Sequence, residues 1–145
     1  MKVYLDNCCY YRPFDDLSQT RVELEANAIL SIIKMCDGKE YELIGSGVIE
    51  IEISKTADTI KRDNAYGLYE LHSKYIGLND TIYEKAKDLA GLEFGNYDAL
   101  HIATAEFAEA DVFITTDDEL IKLAKANKNK IKIKVENPAN WIMEG

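Results

Sequence analysis

Short β-rich runs alternate with longer segments of helical periodicity along this chain, and that alternation constrains the fold most. Lys2 to Leu5, Tyr41 to Ile44, Val112 to Thr115 and Ile131 to Val135 read as strands. Between the first two, Val22, Ala26, Ile29, Leu30 and Ile33 recur at helical intervals. Thr20 and Glu23 have capping-box spacing before them, and Gly38 punctuates the end. Lys55 to Tyr75 reads as a further helix, as does Ile82 to Leu92 behind a capping Asp80. Tyr97 to Ala110 is alanine-rich with few charges at its start, so it is expected to be buried, and Asp117 to Ala126 is the last helix. A polar and aromatic loop through Arg12, Pro13, Asp15 and Asp16 is expected after the first strand. Strands separated by helices imply an α/β fold, with a central parallel sheet covered on both faces. At 145 residues and 47% hydrophobic content, one domain spanning 1–145 is expected.

Charge narrows the function classes. Seventeen Lys and Arg against 26 Asp and Glu leave a net charge of −9, which excludes a passive electrostatic coat for nucleic acid. An acidic protein still acts on phosphodiesters when carboxylates converge on cations, because bound metal reverses the local field. One segregation stands out. Ile121 to Val135 holds six Lys and no acid, which reads as a solvated helix face and a Lys-protected edge strand, or as an RNA-backbone contact. Cys8, Cys9 and Cys36 lack zinc-knuckle or CxxC spacing and read as reduced, mostly buried thiols. No stretch approaches the roughly 18 uncharged apolar residues of a membrane span. The chain enters its first strand with no basic leader or apolar secretory run, so a cytoplasmic location and no membrane partner are expected.

Open parallel sheets bind ligands at the carboxyl ends of their strands. Asp6 ends the first strand, Asp117 and Asp118 follow Val112 to Thr116, and Asp98 opens the alanine-rich helix at the same rim. Each acid alone has an ordinary role, as a helix cap or a solvated strand end. Together they offer the oxygen ligands that Mg²⁺ or Mn²⁺ prefers. His101, one turn after Asp98, reads either as a base or as a packed histidine and stays outside the catalytic set. Asn7, Thr115 and Thr116 adjoin the proposed ligands. Arg12 could hold a phosphate or pair with Asp15 or Asp16, and Tyr10, Tyr11 and Phe14 could stack on bases or pack in the core. An aspartyl-phosphate phosphatase is disfavoured, because position 8, where a second Asp would stand, is Cys.

The segments MKVYLDNCCYYRPFDD, GVIEIEIS, YDALHIATAEFAEADVFITTDDEL and VENPANW resemble the PIN-domain family, in its small bacterial and archaeal members. The resemblance spans nearly the whole chain. It implies a PIN-like three-layer α/β/α fold and an acidic pocket binding Mg²⁺ or Mn²⁺. It also implies hydrolytic endonuclease cleavage of RNA to a 5′-phosphate product, and no organic cofactor. Asp6 matches the family's first acid, Asp98 the third and Asp117 the fourth, with Asp118 as the alternative to Asp117. The second is Glu50 or Glu52. The period-two run Ile49 to Ile53 alone suggests a strand with both glutamates on one face, whereas the resemblance suggests a helix starting after Ser46, in which only one faces the pocket. Glu52 fits the family segment better. Asp6, Glu52, Asp98 and Asp117 are therefore the expected catalytic and metal-binding residues. Implied partners are an RNA substrate and an antitoxin protein of a type II toxin-antitoxin pair, with a homodimer left open. The alternative is a catalytically silent PIN-like module that binds RNA or protein.

Overall fold

A computed structural model describes residues 1–144 of the chain. Five strands form one sheet: β1 (Lys2–Leu5), β2 (Glu42–Ser46), β3 (Lys74–Ile76), β4 (Val112–Ile114) and β5 (Lys134–Glu136). Their order is β3-β2-β1-β4-β5, and every neighbouring pair is parallel. Val3, Tyr4 and Leu5 of β1 and Val112, Phe113 and Ile114 of β4 are all wholly buried. Successive strand residues face opposite ways, so both sheet faces are covered and the architecture is α/β/α.

Eight helices surround the sheet: α1 (Asn7–Tyr11), α2 (Thr20–Asp37), α3 (Gly47–Ser54), α4 (Thr59–Tyr69), α5 (Asp80–Ala90), α6 (Asn96–Phe107), α7 (Asp118–Ala126) and α8 (Pro138–Glu144), among the described residues. Helix α2 buries Ala26, Ile29, Ile33 and Cys36, while Leu30, expected on that stripe, is turned outward. Each fully buried large aliphatic contributes about 1.5–3 kcal/mol. No helix among the described residues is long and apolar enough to cross a membrane.

The structure corrects several expected elements. The loop after Asp6 is instead helix α1 followed by a 3-10 turn, Arg12–Phe14, because the Asp6 side chain caps Asn7. Thr20 does not cap α2; the cap position is Gln19, which makes no side-chain cap bond. The period-two run 49–53 is helical. Ser46 accepts a bond from the Ile49 backbone, and the apparent alternation leaves Ile49 and Ile53 one turn apart, both buried. The helix expected from Lys55 to Tyr75 stops at Tyr69, starts only behind the Asp58 cap, and is followed by β3. Asn79, rather than Asp80, caps α5. The last strand begins at Lys134 rather than Ile131, and α8 follows it.

The chain runs from β1 outward through β2 to β3, then returns to β4 on the other side of β1. This reversal opens a crevice beyond the carboxyl ends of β1 and β4. The Asp6 amide donates to the Ile114 carbonyl at 2.8 Å and the Thr115 amide to Glu136 at 3.0 Å, extending the ladder past the strands. Both segments enter the crevice in fixed register.

Candidate active site

Asp6 sits at the mouth of that crevice, 7% exposed. Its Oδ1 accepts the Asn7 amide at 2.8 Å and its Oδ2 accepts the Thr115 hydroxyl at 2.8 Å, so both oxygens are oriented. Thr115 Oγ1 also accepts the amide of Asp117, tying the two strand-end acids together. Asp117 is exposed and caps α7, accepting the Glu119 and Leu120 amides.

Helix α6 begins at Asn96 behind Gly95 at the cap position, so Asp98 lies in the first turn without capping it. Burial is the main cause that pushes the Asp98 carboxyl up to about 6. Asp6, Asp117 and Glu52 add to the shift by repulsion, and His101 opposes it. The third residue after it, His101, is wholly buried. Its Nε2 is hydrogen-bonded to Glu52 Oε1 and lies 3.9 Å from Asp6 Oδ1. Ligand atoms of Asp6, Glu52 and His101 all lie within 4.8 Å of one another. On the other side of the ring, Nδ1 meets the Tyr4 hydroxyl at 2.6 Å, and that hydroxyl meets Ser46 Oγ at 2.9 Å. Tyr4 itself stacks on Phe113, with ring centroids 5.3 Å apart.

No family model matches the chain, and no curated protein matches it. Among solved structures it is similar to VapBC2 from Rickettsia felis bound to a DNA fragment from their promoter. The TM-score is 0.63 at 14% identity, over 94% of this chain and 98% of that one. It is also similar to VapBC-1 from nontypeable Haemophilus influenzae, with a TM-score of 0.58 at 15% identity, over 95% of this chain and 98% of that one. The chain has the PIN-like fold.

In this PIN-like frame the two glutamates of α3 part company, since residues two apart on a helix are about 200° apart. Glu52 joins His101, whereas Glu50 accepts the Tyr69 hydroxyl of α4 at 2.6 Å. Asp118 is gripped by both terminal nitrogens of Arg21 at 2.7 Å, and that guanidinium holds its carboxyl below the usual range. Arg12 is engaged by Asp15 at 3.0 Å and Glu25 at 3.2 Å, so its guanidinium is not presented to a phosphate. Asp16 bonds the Ser18 amide. Tyr10 is core, the Tyr11 hydroxyl bonds Thr56, and Phe14 is partly exposed. Thr116 Oγ1 reaches Cys8 Sγ at 3.2 Å. All three cysteines are free; Cys9 and Cys36 are buried, and Cys8 is half-buried. Strand β5 is a sheet edge, and its Lys134 pairs with Glu144.

Tyr4 and Ser46 are site residues that sequence reasoning missed. The available signal was a tyrosine inside an otherwise apolar buried strand, whose hydroxyl must find a partner. Carboxylates that face one another, and a half-buried Asp98 pushed up first by burial and then by like charges, suit a hard divalent cation, which relieves the repulsion.

Proposed function

We propose that the chain, acting as one unit over 1–145, is a metal-dependent endoribonuclease that hydrolyses RNA phosphodiester bonds. The observation that carries this reading is the convergence of Asp6, Glu52 and Asp98 on the β1/β4 crevice, with Asp117 close enough to act on Asp98. These four residues would hold Mg²⁺ or Mn²⁺. A divalent cation held there lowers the pKa of an attacking water and neutralises charge that builds on the phosphate.

The protein's own contribution is position. Asp6 is aimed by the Asn7 amide and the Thr115 hydroxyl, Asp117 by its cap bonds, and Glu52 by His101. Preset ligands need no reorganisation when substrate arrives. Lys122 and Lys125 on α7, the helix that Asp117 caps, line a cavity with Arg21 and Asp118 and would supply positive charge for the RNA backbone on an otherwise acidic chain.

The similar solved structures are VapBC assemblies, which supports a toxin working in the cytoplasm beside an antitoxin that covers the acidic pocket. The purified protein is expected to cut single-stranded or looped RNA with Mg²⁺ or Mn²⁺, stop with EDTA, and lose at least about a hundredfold in rate in Asp6→Asn. Cleavage that persists in EDTA refutes the metal mechanism. RNA binding without turnover, unaltered by Asp6→Asn, points to the silent binding module instead.

A further inference from the structure

His101 is close enough to Asp6 and Glu52 to be counted with them as a metal ligand, yet its hydrogen bonds assign it another task. The chain of bonds has two fixed ends. The Ile49 backbone N–H, which only donates, reaches Ser46 Oγ at 3.2 Å. The Glu52 carboxylate, which as an ion only accepts, meets His101 Nε2. Between them run Ser46 Oγ to Tyr4 Oη at 2.9 Å and Tyr4 Oη to His101 Nδ1 at 2.6 Å. Ser46, Tyr4 and His101 are each wholly buried, so water does not supply a missing partner.

One direction uses every hydrogen. Ser46 accepts from Ile49 and donates to Tyr4, Tyr4 donates to Nδ1, and the ring proton on Nε2 is donated to Glu52. The reverse direction leaves the Ser46 hydroxyl hydrogen without an acceptor. If the ring is neutral, it also sets a bare nitrogen against a carboxylate. Both faults are costly in a buried site. We infer that His101 is a positioning residue and not a metal ligand: the Ser46–Tyr4 pair fixes its Nε2–H tautomer, and that N–H holds one oxygen of Glu52. The remaining carboxylate oxygen is then available to the ion, which meets oxygen and no imidazole. This rests on the reading of Glu52 as a metal ligand. It deepens that reading by making the centre an oxygen-only site, suited to Mg²⁺ or Mn²⁺ over the borderline ions that imidazole favours. The relay starts and ends on α3, since Ser46 caps the helix that carries Glu52. Strand β1 and helix α6 thereby set the pose of a side chain on a third element.

Two measurements test it. The ¹⁵N shifts of the His101 ring in metal-free wild type read the tautomer directly. The Nε2–H form is expected, and the Nδ1–H form overturns the inference. Mn²⁺ titration by electron paramagnetic resonance, with pulsed detection of ¹⁴N coupling, reads the ligands. Wild type is expected to bind Mn²⁺ with no directly bonded nitrogen, and such a nitrogen overturns the inference. Tyr4→Phe removes the donor to Nδ1 and is expected to weaken Mn²⁺ binding about tenfold. His101→Gln, which keeps an N–H, is expected to retain more affinity than His101→Leu. Unchanged affinity in a folded Tyr4→Phe protein, or equal losses in the two His101 variants, also overturns it. If wild type binds no Mn²⁺, the metal reading of Glu52 fails and the relay's role toward the ion fails with it. The ring shifts still report whether the relay itself exists.

Discussion

Two groups of carboxylates lie side by side at the carboxyl end of the sheet, and they are built in opposite ways. Glu25, 1% exposed, has Arg12 and Arg21 each at 3.2 Å and accepts the Asn137 amide at 2.6 Å; Arg21 also clasps Asp118. Glu25 and Asp118 each have a guanidinium of the same chain beside them, and the bonds to Asp118 and Glu25 raise the Arg21 pKa above the ordinary value. In the other group, Asp98 has Asp6, Asp117 and Glu52 for neighbours and only His101 to oppose them. Carboxylate count does not separate the two regions. What separates them is where the countercharge comes from: arginines of the same chain in the first group, and nothing but His101 in the second.

The contrast predicts opposite signs for removing an acid. Glu25→Ala strands two cations around a buried position, and breaking such a pair costs about 3 kcal/mol or more. Arg21 is half-exposed and turns to water, which holds the loss near the lower end. A calorimetric melt is expected to drop by roughly 6–12 °C. A midpoint within about 1 °C of wild type would mean that the matched cluster contributes nothing to stability.

A smaller effect separates the adjacent acids Asp117 and Asp118. Asn keeps most capping ability, so Asp117→Asn should leave α7 intact while removing a pocket charge. It is expected to lose about tenfold or more in Mn²⁺-dependent RNA cleavage, on the order of 1.4 kcal/mol. Asp118→Asn, which only releases Arg21, is expected to stay within about twofold. Equal losses would erase the functional boundary between the clusters.

The matched and unmatched clusters also differ in how far the sequence disclosed them. Asp6, Asp98 and Asp117 were legible because each stands at the end of a recognisable strand or the start of a recognisable helix. Strands β1 and β4 are legible for the same reason as any doubly covered strand, since Val3 to Leu5 and Val112 to Ile114 are wholly buried runs without a charge. The edge strand β3 was absorbed into the preceding helical pattern, because three partly exposed residues, Lys74, Tyr75 and Ile76, carry no periodic signal. Pro138 opens α8, an element that no stretch of helical periodicity announces, with Asn137 accepting the Ala139 amide before it. The Glu25 cluster and the Tyr4–His101 relay join residues about 100 positions apart, as in Glu25 to Asn137 and Tyr4 to His101. No local spacing encodes such a pairing; sheet order creates it.

The smallest effect tests the unmatched cluster by its electrostatics. The Asp98 carboxyl titrates near 6 in the folded protein against an ordinary 3.8, so the folded state holds that proton more tightly than the unfolded chain does. Its favourable contribution is complete below about pH 4 and is lost as pH rises through about 6. At 1.36 kcal/mol per pH unit the difference is bounded near 3 kcal/mol. Partial exposure and screening reduce it to about 1 kcal/mol. Metal-free wild type should therefore lose a few degrees of melting temperature between pH 4 and pH 7 that Asp98→Asn does not lose, and at pH 7 the variant should melt at or above wild type. Asp98 makes no cap bond, so Asn sacrifices none. Added Mn²⁺ binds the folded state and reverses the order, raising wild type more than the variant. If wild type and Asp98→Asn show the same pH slope and the same Mn²⁺ shift, Asp98 is not one of the charges that the cation neutralises.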